Sequence, residues 1–338
     1  MSPNFANCEA RHALAVSESE NGLMYYPEYV MHRYENNPIL GPQDFPGAES
    51  IFNPGQTMYD GKTILLCAID CPPRGRPQTY VAESEDGIDF TIRDEPFIAG
   101  WDKYPFDQVL FSPIDNRITK IEDTYYIVTP GPGDFGDVAV LGKTTDFQTY
   151  EPIEIIAAPS TRVPCLFPEK IGDYYVKLDR PTQPVSVGPS HIWISYSPDL
   201  IHWGRFRKIF EGKRWAFTKI GPTPPVKTEE GWLEIYHGVI ESCNGLRYSI
   251  GAMLLDLENP EKVIGMTRLP ILQPDALYEY MGKVPNVCFT TGCIVEEDKD
   301  LIRMYYGASD TYICLATGSL TELLGECKKH TSWYDETS

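Results

Sequence analysis

Short stretches of alternating apolar and polar residues, each broken by an acidic or glycine turn, recur along the chain from residue 50 onward. The first is Asp60-Gly61-Lys62-Thr63-Ile64-Leu65-Leu66, and the second is Glu122-Asp123-Thr124-Tyr125-Tyr126-Ile127-Val128. Gly172-Asp173-Tyr174-Tyr175-Val176, Glu229-Glu230-Gly231-Trp232-Leu233 and Lys299-Asp300-Leu301-Ile302-Arg303 repeat the unit, with turns near 60, 123, 173, 230 and 300. Each is the signal of a β-hairpin, and one hairpin repeated every 50–70 residues is the mark of a repeat architecture. A second echo follows: Ser84-Glu85-Asp86, Thr144-Thr145-Asp146 and Ser197-Pro198-Asp199, each leading into an aromatic residue, with Asp256 in a degenerate fourth copy. Such a turn links the third and fourth strands of a sheet.

Five units of about four strands predict an all-β fold, a five-bladed β-propeller occupying the chain from residue 50 to the end. A β-sandwich is the alternative, but it does not call for one hairpin five times at this period. Long helices find little support; Ser319-Leu320-Thr321-Glu322 predicts one short helical turn near the C-terminus. Residues 1–30 lack a clear period and read as an N-terminal arm, packed on a blade or a neighbouring subunit. Residues 31–338 then form a single propeller domain, since no linker rich in Gly, Ser or Pro divides them.

Charge narrows the partners. Against 48 Asp+Glu the 338 residues hold 29 Lys+Arg, a net charge of −19, which argues against nucleic acid or an anionic membrane. No apolar run approaches the roughly 18 residues of a membrane span, and the N-terminus lacks the pattern of a signal peptide. Nine scattered cysteines without a CxxC pair suggest free thiols in the cytoplasm and no metal site.

In a propeller the residues flanking each inner hairpin converge on the axis. Arg162, Arg180, Lys219 and His237 flank the third and fourth hairpins, so adjacent blades would gather four cationic or potentially cationic groups in an acidic protein. Arg180 and His237 each lie seven residues beyond their turn residues, Asp173 and Glu230, and should occupy equivalent places. Two readings stay open: an anion site, or local pairing, with Asp179 beside Arg180 and Glu169 near Lys170.

At these residues the sequence resembles glycoside hydrolase family 130, which includes the β-mannoside phosphorylases. The resemblance starts near residue 33 and rests on Arg33-Tyr34-Glu35-Asn36-Asn37-Pro38, Phe52-Asn53-Pro54-Gly55, Asp115-x-Arg117-Ile118-Thr119, Arg180-Pro181, Lys219-Ile220-Gly221, Tyr236-His237-Gly238 and Tyr306-Gly307-Ala308-Ser309-Asp310. It implies that Asp115 is the catalytic acid and that Arg162, Arg180, Lys219 and His237 hold inorganic phosphate. It also implies that Asn53, Tyr248, Phe289 and Asp310 contact the mannosyl unit. Three departures from the family pattern stand out. Ile114 and Asn116 flank the acid where Glu or Tyr and then Pro are usual, and Cys67-Ala68 stands where an Arg is common, with Arg74 or Arg76 as a substitute. The Lys219–Pro225 segment is also one residue short.

The expected function is inverting, reversible phosphorolysis of β-1,4- or β-1,2-linked mannosides to α-mannose 1-phosphate. One carboxylic acid beside four such groups fits phosphorolysis better than hydrolysis, which needs a second carboxylate to activate water. A β-mannosidase and a non-catalytic glycan-binding propeller are the alternatives. Inorganic phosphate is the expected co-substrate, with no cofactor or metal; an oligosaccharide is the expected partner, and a homo-oligomer is compatible with the sequence. Tyr104, Phe106 and Trp215 are aromatic residues available for stacking on sugar.

Overall fold

A computed structural model describes residues 29–331, apart from 73–74, 110–111, 134–135, 183–188, 213–217 and 244. Most of the expected N-terminal arm, residues 1–28, therefore lies outside the described residues, as do Arg74 and Trp215.

Five antiparallel sheets are arranged as the blades of a propeller. Blade 1 runs outward from the axis as Ser50–Tyr59, Lys62–Asp70, Gln78–Ser84 and Thr91–Ile92. Blade 2 is Arg117–Ile121, Thr124–Gly133, Gly136–Thr144 and Glu151–Ala157, and blade 3 is Thr161–Leu166, Tyr175–Pro181, Ile192–Ser197 and Gly204–Phe210. Blade 4 starts with Lys219–Pro222 and Val226–Thr228 against Gly231–Ser242, followed by Gly245–Leu255 and Val263–Met266. Blade 5 starts with Cys288–Thr290 and Ile294–Glu296 against Leu301–Ala308, followed by Tyr312–Ser319.

The repeated turns have a common physical basis. Asp60, Glu122, Gly172, Gly231 and Asp300, one in each inner hairpin, all have positive φ. Acidic residues and glycine tolerate that region better than branched ones. At the second echo, Asp86, Asp146, Asp199 and Asp256 each accept two backbone N–H bonds from the residues two and three places on, at 2.8–3.0 Å. The degenerate copy at Asp256 thus makes the same turn as the other three.

The core consists of apolar layers between neighbouring blades. Ile64 and Leu66 of blade 1 meet Ile118 and Ile127 of blade 2, and Leu141 of blade 2 meets Leu166 of blade 3. Leu178 and Ile194 of blade 3 pack with Trp232 and Met253 of blade 4. Leu233 and Leu254 of blade 4 pack with Met304 and Cys314 of blade 5, and Tyr305 and Leu315 close the circle on Ile51 and Leu65 of blade 1. Nearly all these side chains are buried, and each is worth about 1.5–3 kcal/mol by transfer.

Blade 5 departs from the reading that the five units begin at residue 50. Its outermost strand is His32–Arg33, drawn from the other end of the chain and paired with Thr317 and Ala316. This exchange ties the first described strand to the last blade and adds to the apolar packing that closes the ring. Arg33 fastens the join: its Nε and Nη2 reach the two carboxylate oxygens of Glu279, each at 2.9 Å. Glu279 is fully buried and also accepts from Tyr306 Oη, Asp275 N and Ala276 N. Burial works against its charge, yet the Arg33 fork and these donors hold its carboxyl below the usual range. Asn37 adds a mock strand pair, bonding Leu315 N and O at 2.8 Å each. The C-terminal helix, Leu320–Lys328, is longer than the single turn expected; Ser319 caps it by accepting from Glu322 N at 3.0 Å.

Removing Arg33 leaves a buried carboxylate without its counter-ion, a loss of about 3–5 kcal/mol. Arg33→Ala should therefore unfold at markedly lower denaturant than wild type, while Lys62→Ala, from a surface pair with Glu83, should shift it little. Equal midpoints for Arg33→Ala and wild type would show that the closure does not depend on this pair.

Candidate active site

The inner strands begin at one face of the propeller, and there regular pairing gives way. Pairing shifts between Phe52 and Gly55 in blade 1 and between Arg162 and Cys165 in blade 3. Asn53, Asp115 and Val163 sit at these strand starts with φ of 45°, 56° and 52°, and Asp310, at 49°, sits in the turn after Ala308. Bulges and left-handed residues of this kind re-aim side chains and concentrate at functional sites. Here they enclose a cavity of about 260 Å³.

All nine candidate residues line that cavity: Asn53, Asp115, Arg162, Arg180, Lys219, His237, Tyr248, Phe289 and Asp310. Asn53 Nδ2 donates to Asp115 Oδ1 at 2.8 Å, and Arg162 Nη2 lies 3.5 Å from Asp115 Oδ2. Arg180 Nη1 faces His237 Nε2 at 3.3 Å. The His237 ring packs on Phe289 with centroids 4.5 Å apart and stacks near Tyr248 at 6.2 Å. Two glycines make room for this arrangement. A Cβ at Gly221, across the strand pair from His237, would come within 2.2 Å of the imidazole, and one at Gly307 within 2.0 Å of Asn53 Oδ1.

Local pairing does not account for the cations. Asp179 alternates away from Arg180 and instead binds Lys177 Nζ at 2.6 and 2.5 Å, with Ser195 donating at 2.9 Å. Glu169 pairs with Lys227. Among the described residues no carboxylate pairs with Arg180 or Lys219. Burial, then Arg162, push the Arg180 guanidinium down to about 10. Burial, then Arg180 and Arg162, lower Lys219. His237 is held well below its ordinary value by burial and then by Arg180, Arg117, Arg162 and Lys219, so it is neutral near pH 7.

Three lining or supporting residues were not assigned a role by the sequence. Arg117, fully buried, donates Nη1 to the backbone carbonyl of Asp115, and its guanidinium carbon lies 5.5 Å from the centre of the Phe289 ring. Asn116 fills the place where proline is usual. It donates to Thr79 Oγ1 and accepts from Thr129 Oγ1, both at 2.7 Å, and so braces the strand that carries Asp115. Asp137, in the second hairpin of blade 2, has Oδ1 3.9 Å from Arg162 Nη1. Asp137 stands near the tip joining the second and third strands of its blade, as Asp310 does in blade 5, and both line the cavity. Tyr104 is exposed and Phe106 packs near Trp101; neither lines the cavity. A larger cleft of about 720 Å³ lies between blades 2 and 3, beside Trp193, Trp203 and Phe206. Its charged lining, Lys177 and Asp179, is closed on itself, so the smaller cavity is where unmatched chemistry converges.

Asp310 gives a test of this electrostatic picture. Burial, then the neighbouring Asp115, raise its carboxyl to about 6 from 3.8, against the opposing effects of Asn53 and Arg162. Between these values the folded protein holds a proton that the unfolded chain has released, so this group's contribution to stability falls as pH rises through the window. Asp310→Asn removes that dependence. Its melting temperature relative to wild type should rise between pH 4 and pH 6.5, equivalent to about 2–3 kcal/mol; a constant difference would place no raised carboxyl at Asp310.

Comparison with known proteins identifies the family. The sequence model of glycoside hydrolase family 130, described as beta-1,4-mannooligosaccharide phosphorylase, matches residues 27–329. The chain is 33% identical to a beta-1,4-mannooligosaccharide phosphorylase of Ruminococcus albus, covering 90% of this chain and 92% of that protein. It is 38% identical to a beta-1,2-mannobiose phosphorylase of Listeria innocua over 87% and 97% of the two chains. A solved structure of beta-1,2-mannobiose phosphorylase from Listeria innocua, in complex with beta-1,2-mannobiose, superposes with a TM-score of 0.79 at 30% identity, covering 89% of this chain and 99% of that one. The propeller, the cavity and these matches agree: the chain belongs to glycoside hydrolase family 130.

Proposed function

We propose that this chain is an enzyme that catalyses reversible, inverting phosphorolysis of β-mannosides, yielding α-mannose 1-phosphate. The observation that carries the reading is Asp115 at the edge of a cavity where Arg180, Lys219 and His237 have no carboxylate partner among the described residues. A neutral glycan alone gives no reason to bury such a cluster, whereas phosphate matches it in charge and in hydrogen-bonding geometry.

In this reading Asn53, Tyr248, Phe289 and Asp310 hold the mannosyl unit, and Arg162, Arg180, Lys219 and His237 hold phosphate on the opposite side of its anomeric carbon. A phosphate oxygen attacks that carbon as the bond to the leaving oxygen breaks. Asp115 supplies the proton the leaving oxygen takes, through the mannosyl 3-hydroxyl as the family resemblance implies, and the anomeric configuration inverts. No cofactor enters the step. Phosphate is already an anionic nucleophile, so the protein's task is to place it and offset its charge. Relatives named for β-1,4 and for β-1,2 linkages support the mannoside class and leave both linkages as substrates to test. The eight described cysteines are free thiols, which suits a reducing cytoplasm.

The deciding experiment incubates the protein with β-1,4- and β-1,2-mannobiose, with and without phosphate, and assays mannose 1-phosphate and free mannose separately. Equal release of free mannose without phosphate would replace phosphorolysis by hydrolysis. Arg180→Ala should raise KM for phosphate at least roughly 30-fold, since losing a buried charge-assisted contact costs about 2–5 kcal/mol. Asp115→Asn should lose about 10²–10⁴ in rate in both directions without a matching loss of melting temperature. It should lose less on an aryl mannoside whose leaving group departs without protonation. Near-normal turnover in that variant would move the acid elsewhere.

A further inference from the structure

Among the described residues that line the cavity, Asp137 is a third carboxylate beside Asp115 and Asp310, and neither the acid role nor the mannosyl contacts use it. It lies at the start of the third strand of blade 2, opposite Pro132. It lines the same cavity as Arg162, Arg180, Lys219 and His237. Its Oδ1 is 3.9 Å from Arg162 Nη1, and its charge also acts on Arg180. Beside a bound dianion a carboxylate is repulsive unless a proton lies between the two, and an ionised carboxylate has only acceptors to offer.

Hydrogenphosphate carries such a proton on one oxygen; sulfate, of the same shape and charge, carries none near neutral pH. We propose that Asp137 accepts a hydrogen bond from the P–OH of hydrogenphosphate, and so selects phosphate over sulfate at this site. The proposal rests on the reading that this cavity binds phosphate. It adds a consequence for the chemistry. With the protonated oxygen held at Asp137, the three bare oxygens are left for the cations and for the anomeric carbon, so the attacking oxygen is an unprotonated one. Asp137 is partly buried, its side chain 19% exposed, and an anion bound in the cavity would cover it; discrimination by such a covered group is strong, because the wrong ligand leaves it facing a lone pair.

A different role is conceivable from the same geometry, in which Asp137 only holds Arg162, which Asp115 also approaches at 3.5 Å. The two roles differ in what happens to the ratio of anions. The test uses the full chain as wild type, Asp137→Asn and Asp137→Ser. It measures KM for phosphate in phosphorolysis, Ki for sulfate as a competitor, and the melting shift each anion produces without sugar. Wild type is expected to favour phosphate by at least about 100-fold. Asp137→Asn, whose amide can donate to sulfate, should bring the two anions within about tenfold, largely through tighter sulfate. Asp137→Ser should fall between them.

Equal weakening of both anions in the variants would overturn the proposal and leave Asp137 as a support for Arg162. Poor discrimination by wild type would overturn it without any variant. If phosphate neither shifts the melting temperature nor is required for turnover, the phosphorylase reading fails first and takes this proposal with it. Phosphate-dependent turnover with an unchanged anion ratio sinks the proposal for Asp137 alone.

Discussion

Like charges held together near a propeller axis are the constraint around which this molecule is organised. The charges are Arg162 and Arg180 from blade 3, Lys219 from blade 4 and Arg117 from blade 2, with the neutral His237 of blade 4 among them. Each is brought inward because inner strands must converge. Burial of Arg117, Arg180 and His237 removes water that would screen the cluster, and burial together with the neighbouring cations lowers Arg180, Lys219 and His237. Such a cluster persists only if the scaffold is stiff enough to hold it in the absence of ligand.

The scaffold meets that demand by closing on itself. Apolar layers between successive blades tie each sheet to two neighbours, so no blade can move outward without opening two interfaces. The weakest point of a ring is the join, and there Arg33 and Glu279 form a buried fork with Tyr306. The join also shapes the cavity. Glu279 begins a segment whose later residues, Val284 and Val287, line the site, and the carbonyl of Glu279 accepts from Val287 N at 3.1 Å. One ion pair thus supports both the closure and one wall of the site.

Much of this was legible in the chain. Repetition of a hairpin is a local signal, set by turn residues such as Asp60 and Asp300, and it survives in any sequence that keeps the turns. Convergence of Arg162, Arg180, Lys219 and His237 followed from the same repeat, since equivalent positions in a closed ring meet at its axis. That Arg180 has no carboxylate partner among the described residues did not follow, because Asp179 beside it was an equally good partner on residue type. Only strand alternation, which turns Asp179 toward Lys177, separates the two. Asn53, Tyr248, Phe289 and Asp310 were found by resemblance. The exchange of His32–Arg33 into blade 5 left no periodic trace, since two residues are too few to show alternation. Asp137 was hidden for another reason: it belongs to the second hairpin of its blade, and the repeat drew attention to the first.

The strained residues join the two halves of the argument. Asn53, Asp115, Val163 and Asp310 all hold positive φ at the face where the cavity opens. A non-glycine residue pays on the order of 1 kcal/mol or more there, a cost no isolated hairpin could sustain four times over. In a closed ring the cost is spread over the interfaces that fix each strand end, and Asn116, clamped between Thr79 and Thr129, is one visible instance. What the strain secures is direction. An extended strand start would alternate its side chains up and down the sheet, whereas the left-handed step at Asp115 lets Asn53 and Arg162 meet one carboxylate from two other blades. The Asp115 carboxylate is therefore held in place by the same ring that crowds the cations.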